Sequence, residues 1–524
     1  MKNTKFTGYA LLIGTLISSV AVKADFQSDM KKGVEQYEAS KYEDAAVSFY
    51  SAQQNAKPKT KDAAKASYYL GLALAQKKLY HLANSSFLNA YDKNSDFNAQ
   101  SFEKIVALTD LTADGEVLDK ALSANISVKS SAELQDVLLF KSAEISYDKA
   151  DYAKAAKQLD ELLQFNPKHE AGLNLAALAQ LRQNKTKEAV AFYDRLIEVY
   201  QGNAAEIERL NYVRLNKARA YFQQKDFKSA LDVYSSIDQK SSAFLESRTE
   251  VAWALLHSGK INQSLGVVQT LHTPFFENYF DPESLFLRAA LFNYNCQVEE
   301  ADAAVAVFKK NYGNLKDVLT NWLRLPESKY LSFTEIDYAL EVLRGQGRDA
   351  KVVKGLSSDY NGKVPFKVTR SILKDNRMKV RIDLLGSLKS EQKEAMKLFN
   401  NERISMRPLI DTYYGQKIGN TENEVSQLYR KLVQAATDDL IYFDDQLTLV
   451  NYEIIETKKN LARRKVADKS NLKLFDNSEV VKERKLSRRQ YEVGGKRYWP
   501  YTGEYWKDES ASFNYFGENF CEKE

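Results

Sequence analysis

Seven times between Gly33 and Phe308 the chain repeats one spacing: a small residue, a ring or aliphatic side chain nine positions on (once Thr186), alanine at twelve (once Ser264), and a large apolar residue at sixteen. The sets are Gly33, Tyr42, Ala45, Phe49; Gly71, Tyr80, Ala83, Phe87; Ala143, Tyr152, Ala155, Leu159; Ala177, Thr186, Ala189, Tyr193; Ala218, Phe227, Ala230, Tyr234; Ala252, Ile261, Ser264, Val268; and Ala289, Val298, Ala301, Val305. Successive small residues are 38, 72, 34, 41, 34 and 37 positions apart, so the long second step holds room for a degenerate unit around 102–126. Two antiparallel helices approach closely only where glycine or alanine replaces a bulky knob, and a large residue fills the space beside it. One such pair cannot bury its own apolar face, but stacked pairs can. A generic alanine-rich bundle has no reason to hold the spacing through so many units.

The pattern resembles the tetratricopeptide repeat. That resemblance implies an all-α fold, a right-handed solenoid of seven or eight repeats over 25–310 with a concave inner surface. It also places, by register, Tyr37, Tyr68, Leu72, Phe140, Leu181, Tyr212, Phe222, Trp253, Phe286 and Tyr294 on the groove side of the inner helices. An apolar, tyrosine-rich groove suits an extended or helical peptide. Several of these rings have an alternative use, packing between adjacent repeats. Basic residues do not recur at matching positions in consecutive repeats, so capture of an acidic C-terminus is not indicated.

Lys2 and Lys5 precede an apolar run from Tyr9 to Val22, and Val22, Lys23, Ala24 precede Asp25. This reads as a secretory leader over 1–24, cleaved after Ala24. The run is short for a membrane span, and no cysteine follows to accept a lipid. The expectation is an exported, periplasmic protein with no transmembrane segment in its mature chain. Formal charge is +5 and falls to +2 without the leader lysines, which predicts no nucleic-acid partner. Tyrosines number 31 against 4 tryptophans, a load suited to surfaces that grip partner proteins.

Two prolines bracket an aromatic cluster in Thr273–Pro282, read as an ordered loop between repeats. Residues 311–490 read as a helical connector, interrupted by a turn-rich stretch at 345–365. Within it Leu428, Leu432, Ala436, Leu440, Phe443, Leu447, Val450, Ile454 and Leu461 alternate steps of three and four with stutters. A long helix with a narrow apolar seam follows, packing either as an antiparallel hairpin on the helix near Leu388–Leu398 or as a self-associating coiled coil with a second chain. Residues 456–497 carry fourteen Lys and Arg against six Asp and Glu, a solvated face or one that meets acidic lipid or an acidic partner. The last segment, 491–524, is dense in rings and broken by Pro500 and Gly503, which argues for short strands or turns docked on the solenoid through Trp499, Tyr501, Tyr505 and Trp506.

The run from Pro274 to Cys296, PFFENYFDPESLFLRAALFNYNC, together with the closing YWPYTGEYWKDE and a terminal cysteine, resembles periplasmic repeat proteins of the adventurous gliding-motility apparatus. The resemblance covers the last repeats and the tail. It implies a structural component of an envelope-spanning machine, binding envelope proteins through the groove and carrying no catalysis.

Catalytic and cofactor signals are missing from the sequence. His81, His169, His257 and His272 lie far apart and none shows a zinc spacing. The stretch GQGRDAK from Gly345 lacks the gap and the Lys-Ser/Thr of a phosphate loop. No cofactor or metal is expected. The two cysteines, Cys296 at a turn between two helices and Cys521 at the end of the tail, suit a disulfide in an oxidising compartment, the alternative being two buried thiols. A loop of 225 residues closed this way stabilises by up to about 5 kcal/mol. Two functions remain: a scaffold in an envelope machine, or a cell-wall or glycan-binding module that stacks tail rings on sugars.

Overall fold

The computed structural model describes residues 21–91, 95–112, 114–123, 132–273, 276, 279–345, 364–472, 491–493, 496–498, 515, 519 and 521. Eight consecutive helix pairs run along the chain: α1 (Ala21–Glu38) with α2 (Tyr42–Asn55), α3 (Lys61–Gln76) with α4 (Tyr80–Ala90), α5 (Asn98–Thr112) with α6 (Gly115–Ser123), and α7 (Ala132–Asp148) with α8 (Tyr152–Phe165). There follow α9 (Glu170–Arg182) with α10 (Thr186–Tyr200), α11 (Ile207–Gln223) with α12 (Phe227–Ser235), α13 (Ser242–His257) with α14 (Ile261–Leu271), and α15 (Pro282–Tyr294) with α16 (Val298–Arg324). The α5–α6 pair fills the long step in the sequence spacing.

The small position does what the spacing requires. A Cβ added at Gly33 would lie 2.5 Å from the Phe49 ring, and one at Gly71 would lie 2.8 Å from Phe87. Phe49 and Phe87 are completely buried, and each contributes roughly 2 to 3 kcal/mol of hydrophobic stabilisation. The alanines Ala143, Ala177, Ala218, Ala252 and Ala289 are likewise fully buried at the same position.

The turn inside each pair is also repeated. Ser40, Lys78, Ala150, Asn184, Lys225, Gly259 and Cys296 all sit in the left-handed region, with φ between 54° and 71°, two positions before the second helix. In each case the next amide reaches back five residues, as from Lys41 to the Gln36 carbonyl and from Gln297 to Phe292, both at 2.9 Å. This closure caps the last carbonyls of the first helix. Only one of the seven positions is glycine, so most of these turns carry the steric cost of a Cβ in that conformation.

The chain divides into two compact units, one of residues Met1–Leu134 with Val380–Glu424, the other of Gln135–Lys379 with Val425–Glu524. After the pairs come α17 (Lys329–Gly345), α18 (Phe366–Lys374), α19 (Asn376–Leu398) and the 66-residue α20 (Arg407–Leu472), then two three-residue strands, β1 (Tyr491–Val493) and β2 (Lys496–Tyr498). The strands pair antiparallel with Val493 opposite Lys496. They fall at the start of the expected clasp, and Trp499, Tyr501, Tyr505 and Trp506 lie outside the described residues. No described helix is long and apolar enough to cross a membrane.

The apolar seam of α20 differs from the expected one at its start. Val425, Tyr429 and Val433 are buried where Leu428 and Leu432 were expected, and these leucines are half-buried. The phase is set by Tyr429, which shares a 2.7 Å hydrogen bond with Thr369 of α18 and meets the Trp322 ring of α16 edge-on at 5.7 Å. From Ala436 onward the buried line is the expected one, through Leu440, Leu447, Val450 and Ile454. In the second unit this helix meets the repeat helices α15 and α16 through Phe443 and Tyr429, and α17 and α18 through Ser426 and Tyr429.

Candidate partner-binding surface

In the first unit, residues 380–424 meet the starts of the second helices of three pairs. The Glu391 carboxylate accepts the backbone amides of His81 and Leu82, each at 3.1 Å, and the Tyr414 hydroxyl at 2.6 Å. A carboxylate facing free amides at a helix N-terminus is favoured by the helix dipole. Burial nevertheless holds this carboxyl above the usual range. Lys417 bridges Asp114, at 2.9 Å, and Glu116 at the start of α6, with side chains of Lys417 and Asp114 only 13% and 3% exposed. Its hydrogen bonds from Lys120 and Lys417 bring Glu116 down to about 2. Arg403 pairs with Asp44 at the start of α2 at 2.8 Å. His81 is buried, with Nε2 2.9 Å from the Ser387 hydroxyl, and burial lowers it to about 4.

The groove candidates of this unit are Tyr37, Tyr68 and Leu72, all half-buried. Tyr37 meets Tyr42 edge-on and accepts a 3.3 Å bond from Gln76 of the next pair. Tyr68 stacks on Phe97 at 4.9 Å. Two of the three therefore tie one repeat pair to its successor.

In the second unit the candidates lie on successive first helices. Phe140 packs on the His169 ring at 5.1 Å, and Leu181 borders the core around Leu173, Ala177 and Tyr193. Tyr212 donates to Glu246 at 2.8 Å, and burial followed by that carboxylate raises its ionisation. Phe222 stands edge-on to Phe227 at 5.4 Å. Trp253 stacks on His257, donates its indole N–H to Glu283 at 2.8 Å, and lies 6.2 Å from Phe286. Burial raises the Glu283 carboxyl, and the neighbouring charges of Asp281, Glu250 and Asp439 raise it further. Phe286 carries the Phe443 ring of α20 at 5.7 Å. Tyr294 is 61% exposed, and its carbonyl lies 3.3 Å from the Cys521 sulfur.

Residues 140–204 match the tetratricopeptide repeat family model. No curated protein matches the chain. Similar solved structures include the C-terminal part of a tetratricopeptide repeat-containing protein from Cytophaga hutchinsonii, 19% identical, covering 43% of this chain and 92% of that one with a TM-score of 0.29. A tetratricopeptide repeat protein from Parabacteroides merdae is 12% identical, over 55% of this chain and 93% of that one, with a TM-score of 0.25. The kinesin light chain-like repeats of Podospora anserina are 14% identical, over 34% of this chain and 96% of that one, with a TM-score of 0.28. These likenesses assign no partner and no residue role.

Tetratricopeptide repeats generally act as protein–protein interaction scaffolds, and two of the candidate rings here stand beside carboxylates, Tyr212 beside Glu246 and Trp253 beside Glu283. The described residues hold no group of three His, Cys, Asp or Glu arranged to take a metal ion. His169 caps α9 by accepting the Gly172 amide, and His272 contacts Ser284 and Arg288. At the last repeat Cys296 and Cys521 stand side by side in disulfide geometry, with Cα atoms 5.3 Å apart. Four contacts there have no signal in the sequence pattern. Tyr515 donates its amide to the Asn262 carbonyl, accepts from Gln297 at 3.0 Å and meets Phe292 edge-on, while Arg464 reaches the Cys521 carbonyl. The three-and-four spacing places Phe443 in the seam, and only the fold sets it over Phe286. Its step in the seam was the available signal, and its destination was not encoded locally.

Proposed function

We propose that this chain is a non-enzymatic scaffold of the periplasm that holds partner proteins on the inner face of its second-unit repeats, in an envelope assembly such as a gliding-motility machine. The observation that carries the reading is the uneven use of the inner rings. Phe286 is covered by Phe443 of α20, whereas Phe140, Leu181 and Phe222 are half-buried on α7, α9 and α11 and, among the described residues, have their ring or core contacts within the repeat stack. A partner therefore engages the stretch from α7 to α11, where apolar side chains, bordered by the Glu246 carboxylate of α13 beside Tyr212, suit a peptide with apolar and basic residues. Export is supported by the leader-like start and by the Cys296–Cys521 pair, which an oxidising compartment would close into a disulfide.

Replacing Phe140, Leu181 and Phe222 together with alanine is expected to lower recovery of cross-linked partners about tenfold or more, while helix content by circular dichroism stays at the wild-type level. Phe286→Ala is expected to leave recovery unchanged. Unaltered capture by the triple variant overturns the assignment of the surface.

A further inference from the structure

Helix α20 is apolar on two opposite sides. With 100° between successive residues, Leu440, Leu447, Val450 and Ile454 form one stripe, buried against the second unit's own helices. On the other side Ile441, Tyr442, Leu449, Tyr452, Ile455 and Val466 are exposed, Leu449 at 56% and Tyr452 at 65%. An isolated exposed ring needs no explanation, but a stripe of six large apolar side chains along one helix does. The exposed side also follows steps of four and three through Asp438, Tyr442, Asp445, Leu449, Tyr452, Glu456, Lys459, Arg463 and Val466, the period of a two-helix seam.

We propose that this outer face of α20 pairs with the same face of a second copy of the chain, antiparallel, about a twofold axis at Tyr452. The charge order selects both occupant and direction. Asp438 and Asp445 lie before the apolar centre, and Lys459 and Arg463 lie after it together with Glu456, which in the antiparallel register falls opposite the uncharged Thr448. With Tyr452 opposite Tyr452 of the partner subunit, Asp445 faces Lys459 of the partner subunit and Leu449 faces Ile455 of the partner subunit. A parallel pair would set Asp445 against Asp445 and Lys459 against Lys459. The contact is isologous, so each favourable pair occurs twice and the assembly closes at two copies. Lys459 meets Glu456 at 3.2 Å on its own helix, but both side chains are more than half exposed, and such a pair holds the lysine weakly. The repeats lie on the opposite side of the helix from this face, on the buried stripe. This surface is separate from the proposed partner surface on α7–α11, and its test does not depend on that reading.

The full chain is expected to sediment as a dimer at equilibrium. Leu449→Glu with Tyr452→Glu should raise the dimer dissociation constant roughly 100-fold, with helix content unchanged by circular dichroism. Asp445→Lys alone and Lys459→Asp alone should each weaken the dimer, and the double exchange Asp445→Lys with Lys459→Asp should restore it. Single exchanges without effect, or a double exchange that fails to restore the dimer, overturn the antiparallel pairing. A monomer at every concentration overturns the proposal. So does a monomer whose Tyr452 face is protected from surface labelling, which assigns the face to the chain's own 473–490. A monomer that loses binding to vesicles of anionic lipid with the Leu449→Glu, Tyr452→Glu variant assigns it to membrane and overturns the proposal equally.

Discussion

The two units attach non-repeat helices to their repeats by different chemistry. In the first, Glu391, Lys417 and Arg403 reach the starts of α4, α6 and α2, and the central pair, Lys417 with Asp114, is withdrawn from water. In the second, α20 lays Phe443 on Phe286 and Tyr429 on Trp322, and of its ion pairs those of Lys316 with Asp444 and Lys458 with Asp302 stay wet, the first with side chains 35% and 36% exposed. A buried charge left without its partner costs several kcal/mol, while an exposed pair contributes little. The first attachment is therefore specific and brittle, and the second is tolerant and built on area.

The largest effect expected from this difference is in the first unit. Lys417→Met should destabilise α4 and α6 by about 3 to 5 kcal/mol, because Asp114 is left buried without a counter-charge. Lys316→Met should cost α15 and α16 less than about 1 kcal/mol. Hydrogen exchange of the amides in those helices measures both, and equal losses would break the comparison. Next in size is the bond that only the second unit has. Peptide mapping without reductant should recover Cys296 linked to Cys521, and Cys521→Ser should lower the stability of α15 and α16 by about 2 to 4 kcal/mol while α2 and α4 exchange as before. Recovery of both thiols free would remove that distinction.

The smallest effect is pH-dependent. His81 is lowered by burial to about 4, so the unfolded chain, near 6.5, takes up its proton first as pH falls. Stability from His81 is present above about 6.5 and is lost as pH falls toward 4. Between pH 7 and 5 the loss in the first unit should be about 2 kcal/mol, and His81→Gln should flatten it in a denaturant titration followed at both pH values. An unchanged slope in the variant would show that another group sets the acid sensitivity.

The repeats were legible because their packing is local. Gly33 announces Phe49, and Gly71 announces Phe87, since each pair of residues belongs to two helices joined by a three-residue turn. The degenerate α5–α6 pair was legible only as a gap in the spacing. The left-handed turn was not, because Ser40, Lys78, Ala150, Asn184 and Lys225 share no chemistry, and the backbone closure rather than the side chain holds the conformation. What the sequence withheld was long-range. Nothing near Tyr429 says that Thr369 and Trp322 will receive it, so the burial phase of α20 was misread by one residue at its start. In the same way the register marked Phe286 as open groove, although Phe443 occupies it from 157 positions away. Of the candidate surface, the repeat register picks out the rings, but the distinction between Phe286, which meets the chain's own long helix, and Phe140 and Phe222, which meet repeat residues, comes from tertiary packing alone.

The position of the cysteine pair has a consequence for survival after proteolysis. With the bond closed, the chain from Cys296 to Cys521 is a loop of 225 residues fastened at both ends to the last repeat. A single protease cut anywhere within it produces two fragments that cannot diffuse apart, and each remains at the high effective concentration of an intramolecular partner. A nicked molecule would run as one species until reductant is added. Of the cuts a protease can make between α1 and the C-terminus, those inside this loop are the ones after which the scaffold stays whole.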